Sequence, residues 1–166
     1  MHAEASFEQV QTWDLMEESE LILIDILHVG RSENGEEFLY KKFRSDVCIK
    51  LHGKTIYLDC FLSKPHESKA HQASRFGDYK LMLNMFSYGK KAHTCHESLM
   101  SIYETPEVKH IRELPSEKYN QPMSQFCATS LDTESQIMTT RAMFTKRKEV
   151  DKFTKSLMDS LKESFY

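Results

Sequence analysis

Apolar and polar residues alternate most strictly between Asp46 and Leu62, on either side of His52-Gly53. Period-two runs flanking a short x-Gly pair predict a hairpin with a two-residue loop. That loop sets Leu51 opposite Lys54, Ile49 opposite Ile56, Val47 opposite Leu58 and Asp46 opposite Asp59. Val47, Ile49, Leu51, Ile56, Leu58, Cys60 and Leu62 then share a core face, leaving Asp46, Cys48, Lys50, Thr55, Tyr57, Asp59 and Phe61 on the other. A register that collects the apolar set on one side is strongly specified.

Ser6 can cap a helix from Phe7 to about Glu18, with Phe7, Val10, Trp13 and Met16 as its stripe. Leu21 to Val29 reads as a central strand, apolar on both faces except at Asp25. Gly30 to Glu37 is a loop turning at Asn34-Gly35, and Phe38 to Phe43 resumes a strand that leads into the hairpin. Lys64-Pro65 ends this meander. Tyr79, Met82, Leu83 and Phe86 predict a helix capped by Asp78 and stopped at Gly89. Leu99–Glu104, Val108–Leu114 and residues 123–131 read as strands, with a loop from Pro115 to Pro122. Asp132 caps a final helical element carrying Val150, Phe153, Leu157, Leu161 and Phe165 at three- and four-residue spacing. The expected architecture is a single α+β domain over residues 1–166. It has an N-terminal helix, an antiparallel sheet, one helix across it and a C-terminal amphipathic helix, with residues 133–166 as a docking or assembly element.

Composition narrows the class without naming a function. The 166 residues are 40% hydrophobic and 28% charged, with five Gly and four Pro, the profile of an ordinary globular chain. No apolar run reaches the roughly 18 residues of a membrane span. The start, MHAEASFEQV, lacks the basic and apolar regions of a secretory signal. Cys48, Cys60, Cys95 and Cys127 have no C-x-x-C spacing, which predicts reduced thiols and a cytoplasmic or nuclear setting. Too few glycines are present for a phosphate-cradling loop. The net charge of −3 gives no general attraction to nucleic acid, but it is unevenly spread. Residues 1–37 hold ten acids against one base, Arg31, while Arg141, Lys146, Arg147, Lys148, Lys152 and Lys155 crowd the last quarter. The two regions are expected to be solvated faces of one fold or the two sides of a head-to-tail self-association.

Opposed Asp46 and Asp59 would repel unless neutralised by Arg44, Lys50 or Lys64, or by a divalent cation. With Glu8, this Asp46-to-Asp59 stretch resembles the PD-(D/E)XK nuclease superfamily, and within it the cap-snatching endonuclease domains. The resemblance implies Mg²⁺ or Mn²⁺ held by Asp46 and Asp59, Glu8 as third acid and a displaced catalytic cation on the following segment, Lys64, Lys69 or Arg75. Two departures stand against it: Phe61 occupies the family's lysine position, and Ser45 rather than Pro precedes Asp46. His66, His71, His93, Cys95 and His96 form a second group, in which His66-x₄-His71 is a tolerable ligand spacing for zinc but His93-x-Cys95-His96 is not a standard pair. Tyr79 to Leu83 resembles the core of rhabdovirus matrix proteins, which implies a small assembly protein; the acidic N-terminus departs from their basic arms.

A complete catalytic set is missing. The sequence therefore reads as a non-enzymatic binding or assembly module, a subunit of a larger complex or of a viral particle, with protein partners and no cofactor. Val150, Phe153, Leu157, Leu161 and Phe165 are its candidate interaction residues, in cis as core or in trans in a partner groove. The alternative is a metal-dependent nuclease, the only reading with a nucleic-acid partner.

Overall fold

A computed structural model describes residues 2–31, 34–68, 76–103 and 125–163. The architecture is α+β, mostly antiparallel, and the chain divides into two compact units. One comprises Met1–Ser19 with Leu27–Lys80, the other Glu20–Ile26 with Leu81–Tyr166.

In the first unit, β1 (Ser6–Leu15) is a strand where the periodicity predicted a helix. The same ten residues also alternate in period two, Phe7, Gln9, Gln11, Trp13 and Leu15 against Glu8, Val10, Thr12 and Asp14. Pairing with a neighbour decides between the two patterns. After β2 (Leu21–His28), β3 (Gly30–Arg31) and β4 (Glu36–Glu37) form a short antiparallel ribbon. β5 (Lys42–Leu51) and β6 (Lys54–Ser63) are the predicted hairpin, turning at His52 and Gly53 with φ of 50° and 76°. Residues 38–41, expected to open that meander, lie outside the strand. β1 runs parallel to β5, giving the order β1-β5-β6. The short α1 (Pro65–Ser68) follows.

The hairpin register departs from expectation. Lys50 pairs with Thr55 but Ile49 pairs with Tyr57, so Ile56 is an extra residue in β6. Beyond this bulge every β6 side chain changes face. Phe61 moves inward, 6.0 Å from the Phe43 ring and 6.3 Å from Phe76, while Ser63 meets the buried Tyr40 hydroxyl at 2.7 Å. Leu58 and Leu62, expected in the core, are 61% and 53% exposed. An aromatic cluster and a buried hydrogen bond thus replace the burial of two leucines.

The second unit holds a four-stranded sheet of order β2-β7-β9-β8, in which β2, expected to be central, is an edge strand with mostly half-buried side chains. β7 (Leu81–Tyr88) stands where a helix was expected; its apolar run fits either element, and its eight residues are nearly all buried, as in a central strand. α2 (Lys90–Tyr103) begins where that helix was to end, so Leu99 lies on a helix and not on a strand. The strand and loop predicted over 108–122 lie outside the described residues. β8 (Gln125–Asp132) matches the strand expected there and pairs with β9 (Ile137–Phe144), so the 133–166 segment is not wholly helical. Asp132 organises the β8–β9 turn instead of capping a helix. Its carboxylate accepts from the backbone N–H of Glu134 at 3.0 Å and from the Ser135 hydroxyl at 2.6 Å. α3 (Arg147–Glu163) is capped by Glu149, whose Oε2 accepts from the Lys146 N–H at 3.0 Å.

Both helices pack on this sheet. Ala92, Cys95 and Leu99 of α2 and Val150, Phe153, Leu157 and Leu161 of α3 meet Leu81, Leu83, Met85, Met138, Ala142 and Phe144. A fully buried side chain of this kind contributes about 1.5–3 kcal/mol.

Candidate functional site

The bulge decides the fate of the predicted carboxylate pair. Asp46 pairs with Cys60 and Asp59 with Val47, one residue out of the expected register. Adjacent registers point to opposite faces, so Asp46 and Asp59 lie on opposite sides of the sheet. Asp46 is held by Arg44, Nε to Oδ2 at 2.8 Å, and that hydrogen bond, followed by the guanidinium charge, keeps its carboxyl below the usual carboxylate range. Glu8 is ion-paired with Lys42, whose hydrogen bond depresses it likewise. Lys64 contacts Glu67 at 3.0 Å, on the turn into α1; Lys69 and Arg75 lie outside the described residues. Arg44, Lys42 and the bulge therefore take apart the geometry behind the nuclease likeness: the four residues do not form one constellation.

The histidine and cysteine group is dispersed as well. Cys95 is fully buried on the inner face of α2, His93 is exposed and His96 partly so, His66 is on α1, and His71 lies outside the described residues. Among the described residues no three His, Cys, Asp or Glu side chains are placed to hold a metal ion. Val150, Phe153, Leu157 and Leu161 are 0%, 5%, 0% and 3% exposed, so the stripe is occupied within its own unit; Phe165 lies outside the described residues.

The first unit instead offers a sheet face. Phe43, Ser45, Val47 and Ile49 of β5 are buried, so Arg44, Asp46, Cys48 and Lys50 point outward. β1 adds Glu8, Val10, Thr12 and Asp14 to this side, and β6 adds Leu58, Cys60 and Leu62. Its centre is polar but already neutralised by the Arg44–Asp46 and Lys42–Glu8 pairs. Its flanks are apolar: Val10 is 74% exposed on one side, with Leu58 and Leu62 on the other. Large apolar side chains gathered on one face with little unbalanced charge mark a protein-binding surface better than an ion site. Sequence reasoning missed it because it placed Leu58 and Leu62 in the core and Val10 on a helix. The signal for the bulge lay in Tyr57, Phe61 and Ser63, which compete for the inner face.

Much of the N-terminal acidity is spent locally. Glu4 meets Lys41 at 3.0 Å, Glu37 meets Lys80 at 2.5 Å, and Glu20 meets Lys91 at 3.2 Å.

Comparison with known proteins gives the context for this surface. The profile of the family described as "UreD urease accessory protein" matches residues 1–166. The urease accessory protein UreD of Cytophaga hutchinsonii is 31% identical over 88 residues, 53% of this chain and 31% of that protein. Its namesake in Sorangium cellulosum is 28% identical over 107 residues, 63% of this chain and 33% of the relative. That of Actinobacillus pleuropneumoniae is 30% identical over 79 residues, 48% and 29% of the two. The matched stretches thus span about a third of these curated relatives. The matching family is one of accessory proteins, neither a nuclease nor a viral matrix family. The chain belongs to the UreD urease accessory protein family.

Proposed function

We propose that this chain acts as a urease accessory protein in the cytoplasm: a non-enzymatic module that binds urease or another accessory protein during urease assembly. The observation that carries the reading is the family match over residues 1–166. The apolar-flanked face of β1-β5-β6 supports it as the contact surface, since burying the exposed Val10, Leu58 and Leu62 there is favourable. None of the four cysteines is in a disulfide, in accord with a reducing compartment.

Co-expression with the urease of the same organism tests it. The chain should co-purify with urease or an accessory protein, and its deletion should lower urease activity. Leu58→Asp with Leu62→Asp, two exposed changes, should weaken that co-purification about tenfold or more while leaving the circular dichroism unchanged. Urease activity and co-purification both indifferent to the chain would overturn the reading. Undiminished binding by the double variant would move the contact to another face.

A further inference from the structure

β1 is an edge strand of ten residues, and among the described residues nothing pairs with its outer side. Edges of that length are normally blunted by lysine, proline, a bulge or an inward charge. β6, the opposite edge of the same sheet, carries three of these: Lys54 at its start, the extra residue Ile56 and the inward Asp59. β1 carries none. It has no lysine or proline and runs in unbroken register along β5. Its two acids lie on the outer face and are engaged, Glu8 by Lys42 and Asp14 by the Gly53 N–H at 3.0 Å. Three large apolar side chains stay exposed along it: Phe7 at 45%, Val10 at 74% and Trp13 at 40%.

The backbone indicates which groups the edge offers. The Ala5 carbonyl accepts from Lys41 N–H and the Leu15 carbonyl from His52 N–H, so odd-numbered residues turn their amides toward β5. Even-numbered residues, Ser6, Glu8, Val10, Thr12 and Asp14, therefore present N–H and C=O to the open side.

We propose that the open edge of β1 pairs antiparallel with β1 of a second copy of this chain, on a two-fold axis through Val10. In this register Phe7 faces the partner's Trp13 and Gln9 faces Gln11 on the inner side. On the outer side Glu8 faces Thr12, Ser6 faces Asp14, and Val10 meets Val10. Cross-strand aromatic pairs are favourable, and no like charges oppose. Moving the axis one residue, to Gln11, sets Glu8 against Asp14; moving it to Gln9 separates Phe7 from Trp13. The Val10 axis also makes every outward-turned residue part of a hydrogen-bonded pair, on the order of ten bonds between the copies. A single added edge buries less than a standard interface, so the dimer is expected in the micromolar range.

Sedimentation equilibrium of the purified full chain across the micromolar range tests this. The expected result is a monomer–dimer equilibrium, with the emission of Trp13, the only tryptophan, moving to shorter wavelength as dimer forms. Val10→Pro removes an outward N–H and leaves the pairing to β5 untouched. It should raise the dissociation constant at least about tenfold with unchanged circular dichroism. Val10→Lys, which sets like charges on the axis, should do the same if proline disturbs the fold. Under mild oxidation Val10→Cys should gain a covalent dimer over the wild-type background, because hydrogen-bonded antiparallel partners lie about 5.5 Å apart at Cα. Glu8→Cys should not. A monomer at every concentration, a dimer indifferent to both Val10 variants, or cross-linking through Glu8→Cys instead of Val10→Cys would overturn the proposal. Because the readout is self-association of the chain alone, it stands or falls apart from any contact with urease.

Discussion

Gly30 enters the β3–β4 ribbon with φ of 151°, and a Cβ built there would lie 1.8 Å from the Glu36 carbonyl oxygen. That contact is with backbone, so no side chain can swing away to relieve it. Gly30→Ala must both open the ribbon and adopt a conformation that L-residues avoid, at a cost of about 2–4 kcal/mol in urea unfolding. Asp46 and Asp59 give the opposite expectation, of indifference. Each lies on its own side of the sheet and Asp46 is held by Arg44. Mn²⁺ should therefore shift the melting temperature of Asp59→Asn and of wild type equally. A wild-type shift that vanishes in Asp59→Asn would mean that the two carboxylates share an ion after all.

At the scale of elements, the Ile56 bulge makes a prediction of its own. Leu58→Ser should change stability by under about 0.5 kcal/mol, because the side chain is on the surface. Phe61→Ala should cost about 2 kcal/mol, because it removes a ring packed between Phe43 and Phe76. The unbulged hairpin predicts the reverse order, so the pair of measurements decides the register. The hairpin turn, β8 and the amphipathic α3 were all legible in the sequence, since one strong local pattern specifies each; β2 was legible as a strand but not as the sheet edge it forms. β1 and β7 were not: their patterns fit both periods, and pairing with β5 in one case and burial within a sheet in the other made the choice. The bulge was hidden for a related reason. The unbulged register turns every leucine inward, and only the aromatic cluster of Phe43, Phe61 and Phe76 and the Tyr40–Ser63 hydrogen bond reward the other arrangement. The candidate surface was illegible as a consequence, because its apolar members were assigned to the core. α3 was legible as a helix, and its stripe is now placed: Leu157→Ala should cost about 3 kcal/mol in this fully buried position.

For the whole molecule, the shifted ionisations bound a pH window. Glu8, Glu36, Asp46 and Asp132 all sit below the ordinary carboxylate range, held by hydrogen bonds from Lys42, Arg31, Arg44 and Ser135 respectively. A carboxyl with a depressed folded pKa stabilises the protein above its unfolded value, near 4. It loses that contribution as pH falls through the folded one. On the alkaline side, burial pushes Tyr40 and Cys95 up, so both favour the neutral form in the folded chain. Their contribution is full below their unfolded values, about 10 and 8.5, and fades as pH rises through the raised ones. The melting temperature should therefore be flat from about pH 5 to 8 and fall on both flanks, with different responses to salt. Apart from Asp132, held by neutral donors, the acid flank rests on surface ion pairs, which added salt screens, so its slope should flatten at high ionic strength. Desolvation also raises Tyr79 and the Cys60 thiol, the latter beside Asp46, so the alkaline flank rests mainly on desolvated groups, which salt scarcely reaches. Tyr40→Phe should remove the Tyr40 part of that flank, at the cost of leaving the Ser63 hydroxyl without its 2.7 Å partner. A melting curve that shifts equally with salt on both flanks would show that net charge, and not these particular groups, sets the window.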